Sequence, residues 1–257
     1  MSTVQPPDRA TGDASLFDRV LVGVDETPES LIGAAQARVL CAPGGHLTVV
    51  AVAETYLAAH AGMAASLAQE AVESDTAAAL EQACELADPD ERRLTAGRLV
   101  DVLRADCRRG GASLIVVGAR PHRRLGAATF RGHDVELLHD AVCAVLVARP
   151  GWGPSKPSRI VVGVDGSAAA RAAETAARAL AARLGSEIVP VVPLAAHPGP
   201  ELLRAEREDG VLATGNLVDA VAHVATERSL VVAGRGGDVE RIAYTSRCSV
   251  LVLPESR

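Results

Sequence analysis

Short apolar runs rich in Val, Ile and Leu, each closed by polar residues or Gly, punctuate the chain at 19–25 (RVLVGVD), 46–54 (HLTVVAVAE), 114–118 (LIVVG) and 143–147 (CAVLV). The same kind of run returns at 159–165 (RIVVGVD), 186–194 (SEIVPVVPL), 230–234 (LVVAG) and 248–252 (CSVLV). Uninterrupted apolar runs of this length predict strands covered on both faces, as in a parallel sheet. The intervals predict helices. Residues 27–42 open with Thr-Pro-Glu-Ser, a helix-start composition, and the Ala-rich stretch 168–184 is closed by Gly185. Further helices are expected at 63–87, 98–109 and 216–228, with short third strands near Leu94–Ala96 and Val211–Ala213.

The chain is thus two copies of one unit. The spacing between equivalent residues shrinks along it, from 140 at Val22 and Val162 to 116 at Gly118 and Gly234 and 105 at Cys143 and Cys248. The second copy is therefore shortened twice. The first loss falls where residues 198–209 replace the long second helix, and the second falls after Gly234, in the loop and its following helix. The expected organisation is a disordered segment 1–17, a first domain 18–150, a Pro/Gly-rich linker 151–158 and a shortened second domain 159–257. Alternating strands and helices predict an α/β fold of two tandem doubly wound five-stranded parallel sheets, joined by right-handed crossovers. A flavodoxin-like order 3-2-1-4-5 makes the first and fourth strands neighbours where the winding reverses, which is where such sheets bind ligands. That order brings Asp25 near Gly118, and Asp165 near Gly234.

Composition narrows the function classes. Hydrophobic residues at 48% exclude a largely disordered chain, and aromatics at 2% leave Val, Ile, Leu and Ala to build the core. A net charge of −6 argues against nucleic acid as a partner. No run approaches the ~20 apolar residues that would span a membrane, and residues 1–17 lack the pattern of a signal peptide, so a cytoplasmic protein is expected. The five cysteines show no CxxC and read as small apolar residues in a reducing compartment. His133 and His139, six apart, would lie on opposed sides of a helix, and no metal site is expected. No nucleophile elbow or Walker A loop occurs.

A first strand ending Gly-Val-Asp, a fourth ending LIVVGAR and a last strand CAVLVARP resemble the universal stress protein family over nearly all of 18–253. The resemblance implies a flavodoxin/adenine-nucleotide α-hydrolase-like fold and a tandem member. It further implies ATP or another adenine nucleotide as ligand, with the first-strand Asp near the ribose and apolar residues after the second strand beside the base. The family's phosphate loop runs G-x-x-G, nine residues, then G-[S/T]. Mapped here, the implied residues are Asp25, Val52, Gly118, Gly132 and His133, with Arg123 and Arg124 aiding the phosphates. Both copies depart from the motif. In the first, Pro121 stands at the second Gly, removing a backbone donor, Gly132 follows a spacer one residue too long, and His133 replaces Ser/Thr. Arginines supply charge there, as a phosphate site or a solvated basic loop. In the second, Asp165, Gly166, Ser167, Gly234 and Gly237 keep the first half of the motif as a vestigial site. Asp25 and Asp165 also suit helix caps.

The last strands of both copies are apolar and expected at sheet edges, where they invite pairing. The protein's partner is then itself, as a pseudo-dimer within the chain or a homodimer through edge strands. The reading that follows is a stress-response protein acting without catalysis, as a small-ligand sensor or interaction module. A weak nucleotide hydrolase or a ligand-free dimerisation paralogue are the alternatives.

Overall fold

A computed structural model describes residues 16–55, 65–119, 133–194, 211–214, 216–236 and 239–254. In the first copy the apolar runs become β1 (Arg19–Val24), β2 (His46–Ala53), β3 (Glu91–Ala96), β4 (Leu114–Gly118) and β5 (Ala144–Ala148). Between them lie α1 (Pro28–Leu40), α2 (Ala65–Ala87), α3 (Leu99–Gly110) and α4 (His133–Asp140). The second copy supplies β6 (Arg159–Gly163), β7 (Glu187–Leu194), β8 (Val211–Thr214), β9 (Ser229–Gly234) and β10 (Ser249–Leu253). Its helices are α5 (Ala168–Leu184), α6 (Leu217–Val224) and α7 (Val239–Thr245).

All ten strands form one sheet in the order β3-β2-β1-β4-β5-β10-β9-β6-β7-β8. Each copy has the order 3-2-1-4-5 and is parallel throughout, and β5 meets β10 antiparallel through Leu146 and Leu251. Each of these two strands is paired on both sides, β5 with β4 and β10, β10 with β5 and β9. They are therefore central in the sheet instead of at its edges, and a second chain would find no open backbone there. The outer strands are β3 and β8. The β3 edge carries Glu91, Arg92 and Arg93, charges that discourage pairing with another strand.

Successive strand residues point to opposite faces, and both faces are buried. One holds Val22, Leu47, Val116, Leu146, Val162, Val232 and Leu251 beneath α1, α2 and α5. The other holds Leu21, Val50, Ile115, Val145, Val161, Val231 and Val250 beneath α3, α4, α6 and α7. Each layer runs unbroken across the β5–β10 junction, so the two copies share one core. Fully burying such a side chain stabilises by roughly 1.5–3 kcal/mol.

The helix ends explain why these segments stop and start where they do. Thr27 caps α1, its Oγ1 accepting the Ser30 N–H, with Pro28 in the first turn. Ser167 caps α5 by accepting the Ala170 N–H at 3.0 Å, and Gly185 ends it at φ +62°, in the left-handed region that glycine enters without a Cβ clash.

Three expectations need correction. Phe17, assigned to a disordered segment, is 3% exposed in the core, and the Leu16 carbonyl accepts Nη1 of Arg183 at 2.7 Å. Arg183 also donates to the Leu40 carbonyl at the carboxyl end of α1, where a helix favours positive charge. Burial holds its guanidinium below its ordinary pKa. Second, the segment between the copies is mostly exposed but is anchored by Trp152, 1% exposed against the α1–α5 layer. Third, the helix after the second phosphate loop is retained, since α7 spans 7 residues against 8 for α4. The shortening falls in the loop before it. Residues 198–209, the replacement for the second helix, lie outside the described residues.

Candidate functional site

The register of the strands decides which residues meet. Val24 pairs with Ala51, which puts Asp25 and Val52 next in line at the carboxyl ends of β1 and β2. Val22 pairs with Val116, which brings Gly118 level with Val24. Asp25, Val52 and Gly118 therefore share one end of the sheet, Asp25 half-buried and Val52 buried. His133 opens α4, and Arg123, Arg124 and Gly132 lie outside the described residues. In the second copy Val162 pairs with Val232, so Asp165 and Gly234 meet in the same way, while Gly237 lies outside the described residues.

The two strand-end glycines have a steric task. A Cβ on Gly118 would stand 2.5 Å from the backbone nitrogen of Ser30, and one on Gly234 would stand 2.3 Å from the Ala169 carbonyl oxygen. Both are distances that real Cβ atoms do not reach, so glycine is what lets α1 and α5 start directly against the neighbouring strand. Gly23 and Gly163 do the same for the other layer, where a Cβ would meet Leu103 at 2.8 Å and Leu217 at 2.6 Å. The repeated Gly-Val-Asp and the strand-end Gly thus have a packing role of their own.

Neither aspartate caps its helix directly. The Asp25 carboxylate accepts the Thr27 N–H at 3.0 Å and the Thr27 hydroxyl, so that Thr27 is held as the cap. Ser30 closes the turn, its Oγ accepting the Asp25 N–H at 2.9 Å and donating to the Asp25 carbonyl at 2.8 Å. Asp165 accepts the Ser167 N–H at 2.9 Å, across Gly166 at φ +80°, and Ser167 is the cap. Each aspartate rigidifies the strand–helix turn one step before the cap.

A cavity of about 280 Å³ opens at this end of the second copy. Asp165, Ser167, Gly234 and Arg235 form its polar side, and Leu217, Val221 and Ile242 its apolar side. Arg235 lies between the glycines of G-R-G-G, and nothing in the sequence around it marks it as a ligand residue. Its Nε and Nη2 are buried and have no hydrogen-bond partner among the described residues. Two buried guanidinium nitrogens without an acceptor are costly, and an anion in the cavity would satisfy them. No group of three or more metal-ligating side chains occurs among the described residues, and no described helix is long and apolar enough to cross a membrane.

The model of the universal stress protein family matches residues 16–149, slightly more than half of the chain. The chain belongs to the universal stress protein family. No curated protein matches it significantly. A universal stress protein from Archaeoglobus fulgidus DSM 4304 shares the fold, with a TM-score of 0.67 and 16% identity over 94% of this chain and 99% of its own. A candidate universal stress protein from Pseudomonas aeruginosa UCBPP-PA14 gives 0.63 and 17% over 93% of each. The cytoplasmic domain of a prokaryotic cation chloride cotransporter is similar too, at 0.53 and 14% over 92% of this chain and 95% of that domain. These likenesses extend over both copies, beyond the residues that the family model matches.

Proposed function

We propose that this family member is a cytoplasmic, non-enzymatic sensor of a small anionic ligand, an adenine nucleotide foremost, and that its second copy carries a working site. The observation that carries the reading is the buried guanidinium edge of Arg235, without a partner among the described residues, in a cavity that also presents Asp165. The anion would sit on Arg235 beside the first turn of α5, where a helix N-terminus favours negative charge. A hydroxyl of the ligand would donate to Asp165, and its flat apolar part would lie against Leu217, Val221 and Ile242. About 280 Å³ is at the small end of ligand pockets, which suits a mononucleotide better than a triphosphate. In the first copy, Asp25, Val52 and Gly118 supply the corresponding platform.

Calorimetric titration of the full chain with AMP, cyclic AMP, ADP, ATP and inorganic phosphate tests this. Binding of at least one adenylate, weakened tenfold or more in Arg235→Gln, is expected. Loss of binding on removing an anchor of the charged group corresponds to about 1.4 kcal/mol per tenfold. Silence from all five ligands, or unchanged affinity in the variant, overturns the assignment to the second copy.

A further inference from the structure

The pair Cys107–Cys143 has no place in the ligand site, and the sequence separates it by 36 residues. Cys107 lies in the last turn of α3, and Cys143 immediately precedes β5. Their sulfurs are 3.0 Å apart and hydrogen-bonded, both side chains being buried in the same layer. A disulfide needs about 2.04 Å, so a closure of roughly 1 Å would bond them. Cys41, Cys84 and Cys248 form no such pair among the described residues.

We propose that Cys107 and Cys143 are a peroxide-oxidised dithiol, forming a reversible disulfide that ties α3 to β5. The two sulfurs are not equivalent. The hydrogen bond between the two sulfurs holds the Cys107 thiol below its ordinary pKa, with Arg108 assisting and burial opposing, while that bond and burial push Cys143 up. With Arg108 beside it and the surface opening at its side chain, Cys107 is assigned as the attacking sulfur. Access fits the same assignment. A small opening of about 10 Å³ reaches Cys107 between Arg104, Arg108, Asp140 and Val142. That is room for no more than about one water, so hydrogen peroxide reaches Cys107 only with a small local opening, and the far larger glutathione disulfide is excluded.

The chemistry closes without a further reagent. The Cys107 thiolate attacks one peroxide oxygen, the O–O bond breaks, and the departing hydroxide takes a proton to leave as water. Cys107 is then a sulfenic acid. The Cys143 sulfur gives up its proton and attacks the Cys107 sulfur, the S–S bond forms, and the hydroxyl leaves with that proton as a second water. Two thiols and one peroxide become one disulfide and two waters. The product encloses β4, the segment after Gly118 and α4 in one covalent loop, which restrains the first copy's ligand end relative to α3.

The test uses the reduced full-length chain. Hydrogen peroxide at low excess should lower the thiol count in denaturant from five to three. A single Cys107–Cys143 cross-linked peptide should appear with a mass loss of about 2 Da, reversed by dithiothreitol. In Cys143→Ser, Cys107 should accumulate as a sulfenic acid trapped by dimedone, and glutathione disulfide should leave the wild-type count at five. An unchanged count after peroxide, a cross-link between other cysteines, or equally fast loss to glutathione disulfide overturns the proposal.

Discussion

The Ser249 hydroxyl donates to Oε1 of Gln36 at 2.7 Å, joining the start of β10 to α1 across 213 residues with both side chains fully buried. The Gln36 amide in turn donates to the Arg149 carbonyl at 2.8 Å, and the Arg149 N–H donates to Ser249 Oγ at 2.9 Å. This closed ring of polar groups sits where β5 ends beside β10. It satisfies atoms that the fusion of two sheets would otherwise strand in an apolar layer. Breaking one member leaves the others unpaired. Ser249→Ala and Gln36→Ala are each expected to lower stability by about 1–3 kcal/mol. The double variant should lose less than the two together, by roughly 0.5 kcal/mol or more. Urea unfolding midpoints measure both, and strict additivity would show that the ring does not act as a unit.

Glycine at the strand ends leads to an ordering of variants. Gly118→Ala and Gly234→Ala drive a methyl into backbone atoms at 2.5 and 2.3 Å, which cannot yield without moving a helix. Gly23→Ala meets the tip of Leu103 at 2.8 Å, and a side chain can turn aside. The first two should destabilise by about 1–3 kcal/mol each, and the third by less, as overpacking against mobile atoms does. Thermal melts of the three proteins would establish the order. Equal losses would mean that the α1 and α5 contacts relax more readily than the geometry requires.

Acid sensitivity has one identifiable source at the β2–β3 edge. The Leu47 N–H donates to Asp90 Oδ2 at 2.8 Å, and this bond is the main reason that Asp90 stays below the ordinary carboxylate pKa, with His46 and Arg38 adding to it against slight burial. A depressed folded-state pKa stabilises the fold above the unfolded value near ~3.9, and the contribution disappears as pH falls through the folded value. Asp90→Asn should therefore be less stable than the wild type at neutral pH, with the gap narrowing below about pH 4 as Asp90 protonates. Because the carboxylate is 44% exposed, solvent screening keeps the effect small. Unfolding free energies at a series of pH values decide it, and a gap that is constant with pH would remove the charge from the explanation.

Local pattern was enough for the elements, their order and the family. Apolar runs such as RVLVGVD and LIVVG can be buried on both faces only as inner strands of a covered parallel sheet, and Thr27, Pro28, Ser167 and Gly185 mark helix ends through bonds to near neighbours in sequence. The Asp25–Gly118 and Asp165–Gly234 pairs were legible too, because the strand order fixes which carboxyl ends are adjacent. What sequence could not supply is contact between distant segments. An apolar last strand shows that an edge wants covering, yet only the folded chain pairs Leu146 with Leu251 and merges two cores into one. The shortening after Gly234 was visible, but whether loop or helix was lost depended on α7 packing its Val239, Ile242 and Ala243 into the shared layer. Nothing in the sequence distinguishes Arg235, and only folding buries part of its guanidinium without an acceptor among the described residues. Cys107 and Cys143 looked like two unrelated apolar residues until α3 and β5 were packed together. Periodicity records which side of an element is buried, whereas tertiary structure alone decides which atoms share that burial and which of them lack a partner.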